Sequence, residues 1–230
     1  GAKQSDPNNR PIILVPDKVY APYMDLAKKQ GAQALTLPTD HKGRINIEAL
    51  SELETKLGEN PGLAERIKLM VLVNPNNPTG HIYDENEMKA IAGFCKKYNI
   101  LIVEDVVYSK LDPTYKFRFM HQIDPETATI TATSFSKAQC QAGARLGGVS
   151  FSNAANELFK KLGRLRYKYT AKKSQISAGK LIETIEEKEG EYRNIADYFR
   201  AIKGGASSHT NQSSPMAQID AVIVGTYDLI

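Results

Sequence analysis

A lysine preceded by two hydroxyls and followed by an arginine is a set of parts for handling a phosphorylated aldehyde. The chain carries such a set in Thr133-Ser134-Phe135-Ser136-Lys137, with Arg145 eight residues after the lysine. The Lys137 amine can form a Schiff base with a carbonyl. Ser134 and Ser136 can donate to phosphate oxygens, and the Arg145 guanidinium can grip a phosphate through two parallel hydrogen bonds. Taken alone, the same residues also describe a solvated lysine at the end of a strand.

Two upstream stretches stand in the same relation to an apolar run. Asn74-Pro75-Asn76-Asn77-Pro78-Thr79-Gly80 follows Leu69-Met70-Val71-Leu72-Val73, and Asp105 and Tyr108 close the run that starts at Ile100. Three apolar strands therefore lead into polar clusters at their carboxyl ends, the edge at which open parallel α/β sheets bind ligands. The order N-P-x-N-P-T-G, then D-x-x-Y, then S-x-S-K, then arginine resembles the pyridoxal-phosphate enzymes of fold type I, and among them the class I/II aminotransferases.

The resemblance implies a cofactor, pyridoxal 5′-phosphate, held by Lys137 as a Schiff base, and roles for the other residues. Asp105 would sit against the pyridine nitrogen and keep it protonated, since each charge favours the other's ionised form in a sheltered site. Asn77 and Tyr108 would bond the phenolic oxygen, and Ser134, Ser136 and Arg145 the phosphate. Tyr20, in Pro16-Asp17-Lys18-Val19-Tyr20-Ala21-Pro22-Tyr23, would stack on the ring; packing a strand-to-helix corner is the other reading of this residue. Lys137, Asp105 and Tyr108 are the catalytic candidates. Glu104 faces the other side of its strand and is set aside. The Asn77–Pro78 bond is expected to be cis.

The elements that must position these residues follow from pattern. Pro11–Val15, Ala32–Leu37, Ile67–Val73, Ile100–Val106, Thr127–Ser134 and Leu146–Ser152 read as strands, short, apolar and rich in β-branched residues. Between them, Tyr23–Gln30 is a helix closed by Gly31, Asn46–Leu57 is a helix with an acidic first half, and Asp84 caps a helix whose Met88, Ile91, Ala92 and Cys95 share one face. Glu59–Gly62 reads as a turn and the stretch from Asp112 to His121 as an irregular loop. The alternation gives an α/β fold, a mostly parallel mixed sheet with helices on both faces, which matches the large domain of type I pyridoxal-phosphate transferases. In the resemblance the sixth strand runs antiparallel.

The expected organisation is one cofactor-binding large domain over residues 1–230, incomplete, with a helical excursion at about 153–205. The family's N-terminal arm and C-terminal small domain, the latter with the arginine for the substrate carboxylate, are expected to be absent from it. The excursion resembles the insertion of aspartate β-decarboxylases. The stretch from Ser207 to Pro215 resembles one that lies at the family's dimer interface, so a homodimer or an assembly of dimers is expected.

Composition excludes several classes. A net charge of +4 with acids and bases interspersed is too mild for a nucleic-acid partner. No apolar run approaches a membrane span. Two cysteines, Cys95 and Cys140, form no metal pair or disulfide framework, and the four histidines are scattered, so no metal is expected and a reducing, cytoplasmic setting is the default. The implied activity is transfer of an amino group between an amino acid and a 2-oxo acid. Two alternatives stay open: a lyase such as an aspartate β-decarboxylase with the same cofactor, and an aminotransferase-like effector domain of a transcription regulator, which would need a winged-helix domain upstream.

Overall fold

The computed structural model describes residues 9–112, 116–138 and 147–162. Six strands form one sheet: β1 (Ile12–Pro16), β2 (Gln33–Leu37), β3 (Ile67–Val73), β4 (Leu101–Asp105), β5 (Thr129–Ser134) and β6 (Gly147–Phe151), in the order β2-β1-β3-β4-β5-β6. The pairs β1–β2, β1–β3, β3–β4 and β4–β5 are parallel. The Ser152 N–H bonds the Thr129 carbonyl at the start of β5, while Gly147 lies against Thr133 at its end. β6 therefore runs antiparallel to β5, and the expected α/β architecture holds.

Alternation along β3 sorts the helices to the two faces. Met70 and Leu72 pack with Leu50, Leu53 and Leu57 of α2 (Ile47–Glu59) and with Met88, Ile91 and Cys95 of α4 (Glu85–Lys97). Val71 and Val73 point the other way and, with Val15, take Tyr23 and Met24 of α1 (Pro22–Lys29). Both faces of the central strands are thus covered, as a parallel sheet requires. Cys95 belongs to the core, and burial pushes its thiol up to about 12. No helix among the described residues is long and apolar enough to cross a membrane.

Local chemistry explains the helix boundaries. Asn46 accepts from the N–H groups of Glu48 and Ala49 to start α2. Asp84 and Glu87 form a capping box at α4. Gly31, at φ +72°, ends α1 in the left-handed region. The expected turn at Glu59–Gly62 is instead the start of a short helix, α3 (Pro61–Arg66): Asn60 caps it by accepting from the Leu63 N–H, and Pro61 presets the first helical φ. The loop expected up to His121 gives way to another short helix, α5 (Met120–Ile123), anchored by the buried Met120. Lys137 lies in a helical turn, α6 (Phe135–Ala138), rather than on the strand end itself. The excursion begins as helix α7 (Asn153–Leu162); its remainder, the stretch from Ser207 to Pro215, Cys140 and Arg145 lie outside the described residues.

The chain divides into two compact units. Among the described residues, 9–106, 116–132 and 149–162 belong to the first, and 107–112, 133–138 and 147–148 to the second. The residues singled out above fall into both.

Candidate functional site

In the first unit the site residues follow the carboxyl ends of β1, β3 and β4. Asp105 is the last residue of β4 and pairs in register with Val73, so it shares the face that α1 covers. The Tyr23 phenol, on the first turn of α1, donates to Asp105 Oδ2 at 2.5 Å. Burial, then the charge of Asp105 and this hydrogen bond, push the Tyr23 hydroxyl far above the usual phenol range. It remains protonated at every physiological pH and can serve only as a donor to the carboxylate. Tyr20 stands edge-on to Tyr23, with ring centroids 6.2 Å apart, and is 50% exposed. It does not pack into a closed corner, and its outer half is available to a partner.

Glu104, one residue before Asp105, points to the opposite face, opposite Thr131 of β5. Its side chain is fully buried. The Met120 N–H and the Thr131 hydroxyl each donate to it at 2.9 Å. Burial nevertheless outweighs these bonds and raises Glu104 to about 7. It ties the start of α5 to the sheet from the face that Asp105 does not use.

The Asn-Pro loop after β3 is held from within. Asn74 is fully buried; its Oδ1 accepts from the Tyr83 N–H at 3.2 Å. Asn76 Nδ2 donates to the Lys18 carbonyl and to Thr79 Oγ1, each at 2.9 Å, and so joins this loop to the one after β1. Asn77 is half-buried at the tip. The Asn77–Pro78 bond is cis, as expected, and so is Asn74–Pro75. Gly43, at φ +84°, packs so closely here that an added Cβ would stand 2.9 Å from Asn76 Nδ2.

The second unit carries the amine. Lys137 is exposed, and its Nζ lies over the Tyr108 ring, 5.9 Å from the centroid, within the range of a cation–π contact. Ser134 Oγ accepts from the Ser136 N–H at 3.1 Å, which folds the Ser-Phe-Ser segment into the turn that presents Lys137. β6 begins against this turn: a Cβ on Gly147 would fall 2.6 Å from the Thr133 carbonyl oxygen, so only glycine fits there.

The structure thus joins Lys137 with Tyr108 and gives Asp105 a partner that sequence reasoning passed over. Tyr23 is the last residue of the Pro16–Tyr23 stretch that carries the resemblance at Tyr20, but no role is read for it there. Glu104 carried one, a second charged residue beside Asp105 at the end of an apolar run, but only its bond from the Met120 N–H shows that it anchors α5.

Comparison with known proteins places these features in a family. The family model described as aminotransferase class I and II matches residues 6–204. A probable aspartate aminotransferase of Methanocaldococcus jannaschii is 27% identical over 145 residues, which cover 63% of this chain and 36% of that protein. An aspartate aminotransferase of Musicola paradisiaca is 30% identical over 139 residues, 59% of this chain and 32% of that protein. Among solved structures, an alanine aminotransferase from Pyrococcus furiosus superposes with a TM-score of 0.58 at 25% identity, covering 66% of this chain and 37% of that one. The chain spans about a third of the length of the curated relatives it matches.

Proposed function

Since this chain belongs to the class I and II aminotransferase family, we propose that the protein moves an amino group between an amino acid and a 2-oxo acid with pyridoxal 5′-phosphate. The observation that carries the reading is the Asp105 carboxylate, on the last residue of a central parallel strand and fixed there by a permanent phenol donor. The donor set suits the cofactor: a carboxylate for a ring nitrogen, an exposed primary amine beside an aromatic ring, and hydroxyls for a phosphate. When bound, the cofactor supplies an electron sink for the bonds at the substrate Cα.

The chain's own residues do the rest. Lys137 would supply the amine that holds the cofactor's aldehyde group, and its free side-chain amine would take up and return the proton at the substrate Cα. Asp105 holds the proton on the pyridine nitrogen. Asn77 and Tyr108 bond the phenolic oxygen, and Tyr20 offers its exposed ring face for stacking. Ser134, Ser136 and Arg145 anchor the phosphate, which keeps the reacting carbon still. Residues 1–230 form part of the cofactor-binding large domain, with the helical excursion at about 153–205. The protein works as a homodimer or an assembly of dimers, in the cytoplasm.

The test is to give the full-length protein the cofactor and measure amino transfer to a panel of 2-oxo acids beside carbon dioxide release from aspartate. Transfer that depends on the oxo acid supports the reading. Dominant decarboxylation moves the protein to the lyases, and cofactor binding without turnover favours an effector domain.

A further inference from the structure

Lys18 has no part in the functional reading above, yet it joins three loops at the carboxyl edge of the sheet, all in the first unit. The loop after β1 carries Lys18 and, two residues on, Tyr20; the loop after β3 carries Asn76 and Asn77. The loop after β2 carries none of the candidate residues and is a tight hairpin. In it Thr39 bridges Ile45, the Asp40 N–H bonds the Arg44 carbonyl at 2.9 Å, and Asp40 Oδ1 accepts from the Arg44 N–H at 3.0 Å. Lys18 Nζ reaches this hairpin, donating to the Asp40 carbonyl at 2.8 Å and, at 3.4 Å each, to the Thr39 carbonyl and hydroxyl. The Lys18 carbonyl in turn accepts from Asn76 Nδ2 at 2.9 Å. Gly43 of the hairpin closes the ring by packing against the Asn76 amide and Thr79. We infer that Lys18 is a positioning residue: its ammonium clamps the hairpin as a brace for the two loops that carry Tyr20 and Asn77, and so sets where these side chains meet the cofactor ring and its phenolic oxygen. The inference rests on the functional reading above.

Three features favour positioning over a casual surface contact. A surface lysine ordinarily keeps its ammonium in water, whereas Lys18 is half-buried and two of its acceptors are main-chain carbonyls. Bonds from an ionised donor are the stronger kind, and bonds to main chain refer one loop directly to another. Asn76 is 4% exposed, and its Nδ2 donates to both the Lys18 carbonyl and Thr79 Oγ1. Asn77 is the next residue in the chain, so a shift of the Lys18 backbone reaches it through a single peptide unit. The hairpin leaves no slack on the other side: an added Cβ on Gly43 would stand 2.9 Å from Asn76 Nδ2.

The test compares full-length wild type with Lys18→Met, which keeps the apolar stem and removes the donors. A hydrogen bond from a charged group corresponds to roughly ten- to hundredfold in an equilibrium constant. Cofactor affinity, followed by fluorescence titration, should weaken by about tenfold. The absorbance band of the bound cofactor should move, because the bond to its phenolic oxygen is no longer held in place. The same substitution in a background of Tyr20→Ala with Asn77→Ala should cost little further affinity, because the groups it positions are gone. A purely structural role would cost the same in both backgrounds, and that result overturns the inference. A Lys18→Met protein with wild-type affinity and spectrum also overturns it, whatever its urea midpoint, and leaves the functional reading standing. Should Lys18→Met not fold, Lys18→Gln, which keeps a shorter and neutral donor, is read in its place by the same criteria. Wild type that takes up no cofactor overturns the functional reading, and the inference with it.

Discussion

Glu104→Gln is the substitution whose effect the structure defines most fully. The Glu104 carboxyl is buried between β4, β5 and α5, and burial raises it from the ordinary glutamate value of 4.5 to about 7. A displacement of that size is worth about 3 kcal/mol of stability. Between these two pH values the folded chain keeps a proton on Glu104 that the unfolded chain has released. Folding is therefore helped most at the acid end, loses stability as pH rises through the window, and is flat in this respect above it. Glutamine removes the titration and keeps the contacts: its carbonyl can accept from the Met120 N–H, and the Thr131 hydroxyl can turn from donor to acceptor. Urea midpoints of the full-length, cofactor-free protein should differ least for the two forms below the unfolded value of 4.5. By pH 8 Glu104→Gln should be the more stable, by up to about 3 kcal/mol. Identical pH dependence in the two proteins would refute the reasoning, since it would mean that Glu104 titrates alike folded and unfolded.

The other predictions are briefer. Asp105→Ala should lower turnover on the order of a thousandfold while cofactor affinity falls much less, the pattern of an interaction used mainly in the transition state; steady-state kinetics and a cofactor titration check it. Lys137→Ala should abolish turnover, and borohydride reduction of the cofactor-loaded protein should label the Lys137 peptide of wild type and no peptide of the variant. Gly147→Ala should cost about 1–3 kcal/mol by forcing β6 away from Thr133, read as a lowered urea midpoint. Asp84→Ala should cost about 1 kcal/mol, because Asn86 and Glu87 lose their N–H acceptor at the start of α4.

The sequence alone carried much of the fold. Runs such as Leu69–Val73 and Ile100–Val103 are apolar over most of a strand's length, and each gives way to polar residues. Alternation also placed Glu104 and Asp105 on opposite faces, because successive side chains of a strand must diverge. These are local properties, written in neighbouring residues. The partners across the sheet are not local. That Tyr23 meets Asp105 depends on α1 covering the face on which β3 and β4 pair Val73 with Asp105. That Glu104 is an anchor depends on Met120 and Thr131 closing over it. Strand order and the face each helix takes are set by the burial of the whole apolar surface at once. The contacts that hold the carboxylate could therefore be read only after the chain had folded.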